Sequence, residues 1–175
     1  LHMYQLPMLL HGRHRSARER SASALENAAK AHLGPAVQVA AVELWDPSGS
    51  RVFPSGAPFE LVWRNDELEN AGDRPEGFDA EHRMESRITE LDPPHKLGFQ
   101  FGQSGDVTFE LEQQGDEVLL TLTHRRLPGR EIMLKVAAGW HAHLDVLGAK
   151  VEGGIPLSFW DNWSRLRDEY ARRIP

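Results

Sequence analysis

The sequence predicts an α+β domain in which a curved antiparallel sheet is wrapped around a long C-terminal helix, with an apolar cavity between them. Three observations carry this. Residues 59–122 alternate apolar and polar side chains in short runs, the period of half-buried strands. Residues 132–151 change to steps of three and four, the period of an amphipathic helix. The turns between the runs are short, so successive strands are antiparallel neighbours, and the helix must bury its apolar stripe against them.

In chain order, Leu1-His2 ahead of Met3 read as a cloning remnant, and the apolar run Leu6 to Leu10 is too short for a secretory core. Helix is expected from Ala17 to His32, stopped by Gly34-Pro35. Val37, Val39, Val42 and Leu44 suggest a strand over Ala36 to Trp45, bulged at Ala40-Ala41, and the segments 46–50 and 54–58 are turn chemistry. Phe59, Leu61 and Trp63 then alternate with Glu60, Val62 and Arg64 before an acidic loop from Asn65 to Asp79. A strand pair follows: Met84, Ser86 and Ile88, a turn at Asp92 to His95, then Leu97, Phe99 and Phe101. Val107, Phe109 and Leu111 lead through a hairpin at Gly115-Asp116 into Val118, Leu120 and Leu122. Ile132, Met133, Val136, Trp140, Leu144, Leu147 and Val151 mark a helix of about five turns, ended by Gly153-Gly154. Phe159, Trp163, Leu166 and Tyr170 mark a second, terminal helix over Ser158 to Arg173. No repeat or long linker divides the 175 residues, so residues 1–175 are expected to form a single domain.

A net charge of -6 would repel phosphate backbones and anionic membrane surfaces, which argues against nucleic acid as a partner. No run approaches the length of a membrane span. The absence of cysteine excludes disulfides, thiolate zinc sites and thiol nucleophiles, and is compatible with a cytoplasmic location.

Four segments carry a resemblance when taken together in order: "FELVWRNDEL" (Phe59 to Leu68), "HRMESRITELDPP" (His82 to Pro94), "VTFELEQQGDEVLLTLTHRRLP" (Val107 to Pro128) and "AAGWHAHLDVL" (Ala137 to Leu147). The chain resembles the START-like helix-grip superfamily, and within it the family named for homology to the activator of the heat-shock protein 90 ATPase. The resemblance covers residues 59–175 and implies a six- or seven-stranded curved sheet around the C-terminal helix, with a cavity between. It also implies a link to stress response and a chaperone ATPase as a partner. Residues 3–58 depart from the pattern: the family's first strand and the lid helices that follow are not evident there.

The candidate ligand-binding residues are Trp63, Phe99, Phe101, Phe109, Leu120, His124, Met133, Val136, Trp140, His143 and Leu144. Each apolar one is equally a core residue by type; a strongly curved sheet holding one helix leaves space that side chains need not fill, and such pockets are mainly apolar with few polar groups. His124 falls in phase with Val118, Leu120 and Leu122 and so points to the apolar face, either lining the pocket or hydrogen-bonded at the edge of the core. His143 is expected beside Trp140 and Leu144 on the buried side. His141 and His143, two apart on a helix, cannot hold one ion from the same face, so no metal or cofactor is expected; His141 pairs instead with Asp145 at i+4. Glu110 and Glu112 share a strand face, but their phase assigns them to solvent rather than to acid–base work. The pairs Arg125-Arg126 and Arg172-Arg173 read as solvated ends. With no nucleophile elbow and no phosphate-cradling glycine loop, the leading expectation is a non-enzymatic domain that binds a small hydrophobic ligand or contacts a partner protein. The alternative, prompted by cyclases among START-like relatives, is a cyclase- or hydratase-like enzyme with His124 or His143 as general acid or base. A third is an interaction module whose interior is filled by its own side chains.

Overall fold

A computed structural model describes residues 3–10, 56, 58–92, 94–115 and 117–175. The expected helix over 17–32, the strand over 36–45 and most of the two turn clusters lie outside these residues.

Six strands form one antiparallel sheet. They are β1 (Met3–Leu10), β2 (Pro58–Trp63), β3 (His82–Asp92), β4 (Lys96–Gln100), β5 (Asp106–Gln114) and β6 (Glu117–Arg125), in the spatial order β1-β6-β5-β4-β3-β2. Strands β2 to β6 are a meander in which each pairs with its successor, as the alternation and the short turns require. The β5–β6 hairpin closes at Gln114↔Glu117, with Gly115 at φ +62° in the left-handed region such tight turns favour. Between β3 and β4 the register shifts at Ile88/Glu90, a bulge that period counting did not show.

Strand β1 corrects the sequence reading, in which the family's first strand was not evident among residues 3–58 and Leu6 to Leu10 stood only as a short apolar run. Residues 3–10 pair with β6 along their whole length, from Met3↔Arg125 to Leu10↔Val118. The segment MYQLPMLL lacks clean alternation and holds a proline. Its strand state is set by the partner edge that β6 offers rather than by local pattern.

Two helices complete the described fold: α1 (Arg130–Val151, 22 residues) and α2 (Phe159–Arg173). Helix α1 is buried on two sides. Leu144, Leu147, Trp140 and Val151 pack with Leu61, Phe99, Val107, Leu120 and Leu122 of the sheet. Leu134, Ala137, Ala138, Ala142 and Val146 pack against Phe159, Trp160, Trp163, Leu166 and Tyr170 of α2. The small alanines let α2 approach closely. A helix apolar nearly all round is a core helix rather than a surface one, which the single stripe through Trp140 did not reveal.

The acidic loop between β2 and β3 also serves as a strap across α2. After a 3-10 turn at Asn65–Glu67, its carbonyls at Asn70 and Ala71 accept the amides of Phe159 (3.0 Å) and Trp160 (2.9 Å), two of the N–H groups that a helix start leaves unpaired. Phe78 packs edge-on to Trp163 at 4.8 Å and tilted on Trp160 at 5.1 Å. Trp160 Nε1 donates to Asp66 Oδ1 at 2.9 Å. Gly72, at φ +76°, passes so near Ser158 that a Cβ there would lie 2.2 Å from its hydroxyl oxygen. At the other end of α2, Arg130 donates to the carbonyls of Ala171 (2.7 Å) and Ile174 (3.0 Å), satisfying last-turn acceptors.

Candidate functional site

Along the helix-facing side of the sheet, aromatic rings touch in sequence from β2 to α1. Phe59 meets Phe99 edge-on at 5.6 Å, and Phe99 stacks on Phe109 at 6.1 Å. Trp63 meets Phe101 at 5.5 Å. Trp140 closes the set from the helix, 5.7 Å from Phe101 and 5.6 Å from Phe109. Strand alternation puts these rings on one face, and edge-to-face contacts at these separations are the arrangement that aromatic quadrupoles favour. Phe99, Val107, Leu120 and Leu122 form a buried floor, whereas Phe59, Trp63, Phe101, Phe109 and Trp140 are only partly buried.

His124 is the polar residue among them. It is 0% exposed, opposite Val107 in the β5–β6 register, with its ring 4.9 Å from that of Phe101. Its Nε2 lies 2.8 Å from the Ser104 carbonyl, and its Nδ1 lies 3.2 Å from Nε1 of Trp140. A carbonyl only accepts and an indole N–H only donates, so Nε2 carries the proton and Nδ1 is bare. The imidazole is therefore neutral, with both nitrogens engaged. Burial pushes its pKa below the usual 6.5, against smaller opposing pulls from the Ser104 carbonyl and the Asp106 carboxylate.

The other histidines stand elsewhere. His143 donates from Nδ1 to the Gly139 carbonyl (2.7 Å), has Nε2 3.0 Å from the Asn65 side-chain amide, and packs edge-on to Phe159 at 4.7 Å. Its contacts lie at the junction of α1, α2 and the strap, rather than with Trp140 at the sheet. Burial lowers its pKa. A neutral ring protonated at Nδ1 accepts at Nε2, which requires the Asn65 amide to be turned with its NH2 toward the ring. His141 reaches Asp145 at 3.7 Å, as its i, i+4 spacing suggested, and Tyr170 Oη at 2.8 Å. Asp145 also accepts from buried Asn162 at 2.8 Å, which ties α1 to α2.

Of the sequence-derived candidates, the structure brings Trp63, Phe99, Phe101, Phe109, Leu120, His124, Trp140 and Leu144 together. Met133 is buried and Val136 partly so, but neither joins this cluster, and His143 is turned to α2. Glu110 pairs with Lys96 at 3.3 Å and, like Glu112, alternates with the apolar residues and so occupies the opposite face of β5. Arg126 pairs with Asp106, and Arg173 with Glu169 at 3.0 Å. Sequence reading missed Ser104 and Asn65. Ser104 acts through its backbone carbonyl, which no side-chain pattern encodes, and Asn65 is brought to His143 from 78 residues away.

The family described as activator of Hsp90 ATPase homolog 1-like protein matches residues 42–152. The chain belongs to that family. The match begins ahead of the resemblance seen at residue 59 and ends where α1 does, so α2 lies beyond it. No curated protein matches the chain. Among solved structures, a protein of Bordetella parapertussis determined by solution NMR is 29% identical, with a TM-score of 0.68, over 98% of this chain and 86% of that one. The Aha1 dimer of Colwellia psychrerythraea is 17% identical, with a TM-score of 0.52, over 88% and 98%. A conserved protein of Enterococcus faecalis is 12% identical, with a TM-score of 0.53, over 97% and 85%. The last two share the fold. The described α+β arrangement, a six-stranded antiparallel sheet with α1 against its apolar face, is the helix-grip fold of this Hsp90-activator-like family. No described helix is long and apolar enough to cross a membrane.

Proposed function

We propose that the chain binds a small hydrophobic molecule between the sheet and the Trp140 face of α1, without catalysing its conversion. The observation that supports this is the half-buried state of the five rings Phe59, Trp63, Phe101, Phe109 and Trp140 over the buried floor of Phe99, Val107, Leu120 and Leu122. Rings in a closed core lose their solvent contact, whereas rings lining a pocket keep some until a ligand covers them. His124 serves this site as a fixed, neutral strut: with Nε2 on Ser104 and Nδ1 on Trp140 it holds the indole in place, and neither nitrogen is free to move a substrate proton. Native mass spectrometry of protein purified gently from its own host tests the reading. A retained apolar molecule, displaced by anilinonaphthalene sulfonate and lost in Phe101→Ser, is the expected result; no retained mass and no displaceable probe would remove the proposal.

A second reading rests on family membership alone: a cytoplasmic stress-response role through contact with a chaperone ATPase. Fold and function separate readily in widely used folds. The check is whether saturating protein raises the ATPase rate of an Hsp90-type chaperone; an unchanged rate eliminates it.

A further inference from the structure

The turn joining α1 to α2 holds the two exposed large apolar side chains among the described residues, Ile155 at 78% and Leu157 at 66% exposure. They flank Pro156, which is buried and whose carbonyl accepts from Asn70 Nδ2 at 3.1 Å. The amides of Gly153 and Gly154 fold back onto the carbonyls of Lys150 (3.1 Å) and Ala149 (2.7 Å). The turn is thus anchored at its centre and at its start, with the two hydrophobic side chains held outward on either side of the anchor. Single exposed hydrophobes are ordinary on a protein surface; here two project from one pinned turn, so little ordering would be lost if a partner covered them.

The surroundings of the pair select its partner. Glu152 lies in the same turn. Asp161 approaches Gly72 of the strap, its Oδ2 3.5 Å from where a Cβ would sit, and Asp73 follows directly. All three carboxylates are exposed and form no salt bridge among the described residues, whereas neighbouring Glu69 and Asp66 are paired with Lys150 and Arg74. An apolar pair within an unneutralised acidic rim repels an anionic lipid surface and attracts a cationic one. We propose that the α1–α2 turn, with Ile155 and Leu157 at its tips and Asp73, Glu152 and Asp161 at its rim, is a docking site for a protein surface that presents apolar side chains flanked by lysine or arginine.

The test uses a helical peptide of leucine and lysine with one apolar stripe, and its leucine–glutamate counterpart, titrated into the full 175-residue chain and followed by amide chemical shifts. The lysine peptide is expected to shift residues 69–73 and 152–161, to weaken with added salt, and to bind at least tenfold less tightly to Ile155→Ser/Leu157→Ser. The triple variant Asp73→Asn/Glu152→Gln/Asp161→Asn should lose the salt dependence, a readout independent of the apolar variant. Equal binding of the glutamate peptide, shifts centred elsewhere, or unchanged affinity in the apolar variant would overturn the proposal. Turn-dependent association with phosphatidylglycerol vesicles, or concentration-dependent dimerisation abolished by the apolar variant, would overturn it in favour of a lipid surface or a second copy.

Discussion

The indole N–H of Trp140, on α1, donates to Nδ1 of His124, on β6, at 3.2 Å, and this bond fixes the tautomer of a fully buried imidazole. It joins helix to sheet at the centre of the aromatic lining.

Replacing Trp140 with Phe keeps a ring but leaves Nδ1 as a buried acceptor without a donor. An unsatisfied buried acceptor costs about 1–3 kcal/mol, so Trp140→Phe should lower unfolding stability by that amount. In a double-mutant cycle with His124→Leu, the second substitution should recover part of the loss, since both partners are then apolar. Urea denaturation measures both; strictly additive losses would show that the pair is not coupled.

The same burial sets a pH dependence. His124 and His143 both have pKa values depressed below 6.5 by desolvation, so the unfolded chain binds their protons more readily than the folded one. Stability from these groups is complete above about pH 6.5 and is lost as pH falls through their lowered folded values. Stability measured from pH 7.5 downward should decline on this limb, and His124→Gln should flatten part of it. A profile unchanged by that substitution would remove His124 as a contributor.

Gly105 sits at φ +105° in the turn that presents the Ser104 carbonyl to His124, and a Cβ there would lie 1.8 Å from the Arg125 carbonyl oxygen. The obstacle is backbone and has no rotamer by which to yield. Gly105→Ala is expected to cost about 2–4 kcal/mol and to alter the amide signals of Ser104 and His124. Thermal melting and amide spectra are the readouts.

Phe78 ties the β2–β3 strap to Trp160 and Trp163 of α2. It is partly buried, so Phe78→Ala should cost less than a full core truncation, about 2–3 kcal/mol. Hydrogen exchange should speed up at the amides of Phe159 and Trp160, which bond to the strap, before it does in β4 or β5.

Legibility in the sequence followed the range of the physics. Side-chain period is a local property of strand and helix geometry, and it located β2 to β6 and both helices to within a few residues. It also put His124 on the ring-bearing face, because register within a strand carries phase from Leu120 to His124. Period fails where the partner rather than the pattern sets the state, as with β1, whose proline-bearing sequence is a strand because β6 pairs with it.

What the sequence alone determined was an antiparallel sheet, a long Trp-bearing helix and the identity of the rings on their shared face, since each follows from a repeat of two or of three to four residues. The tertiary structure alone decided which buried side of α1 each residue takes. Trp140 and His143 are neighbours on the helix, yet Trp140 turns to the sheet and His143 to Phe159, because α2 covers a second flank of α1. Only the folded chain brings the Ser104 carbonyl and the Trp140 indole to opposite nitrogens of one imidazole. Contacts between residues 16 and 20 positions apart, from different elements, are fixed by packing and leave no trace in local periodicity.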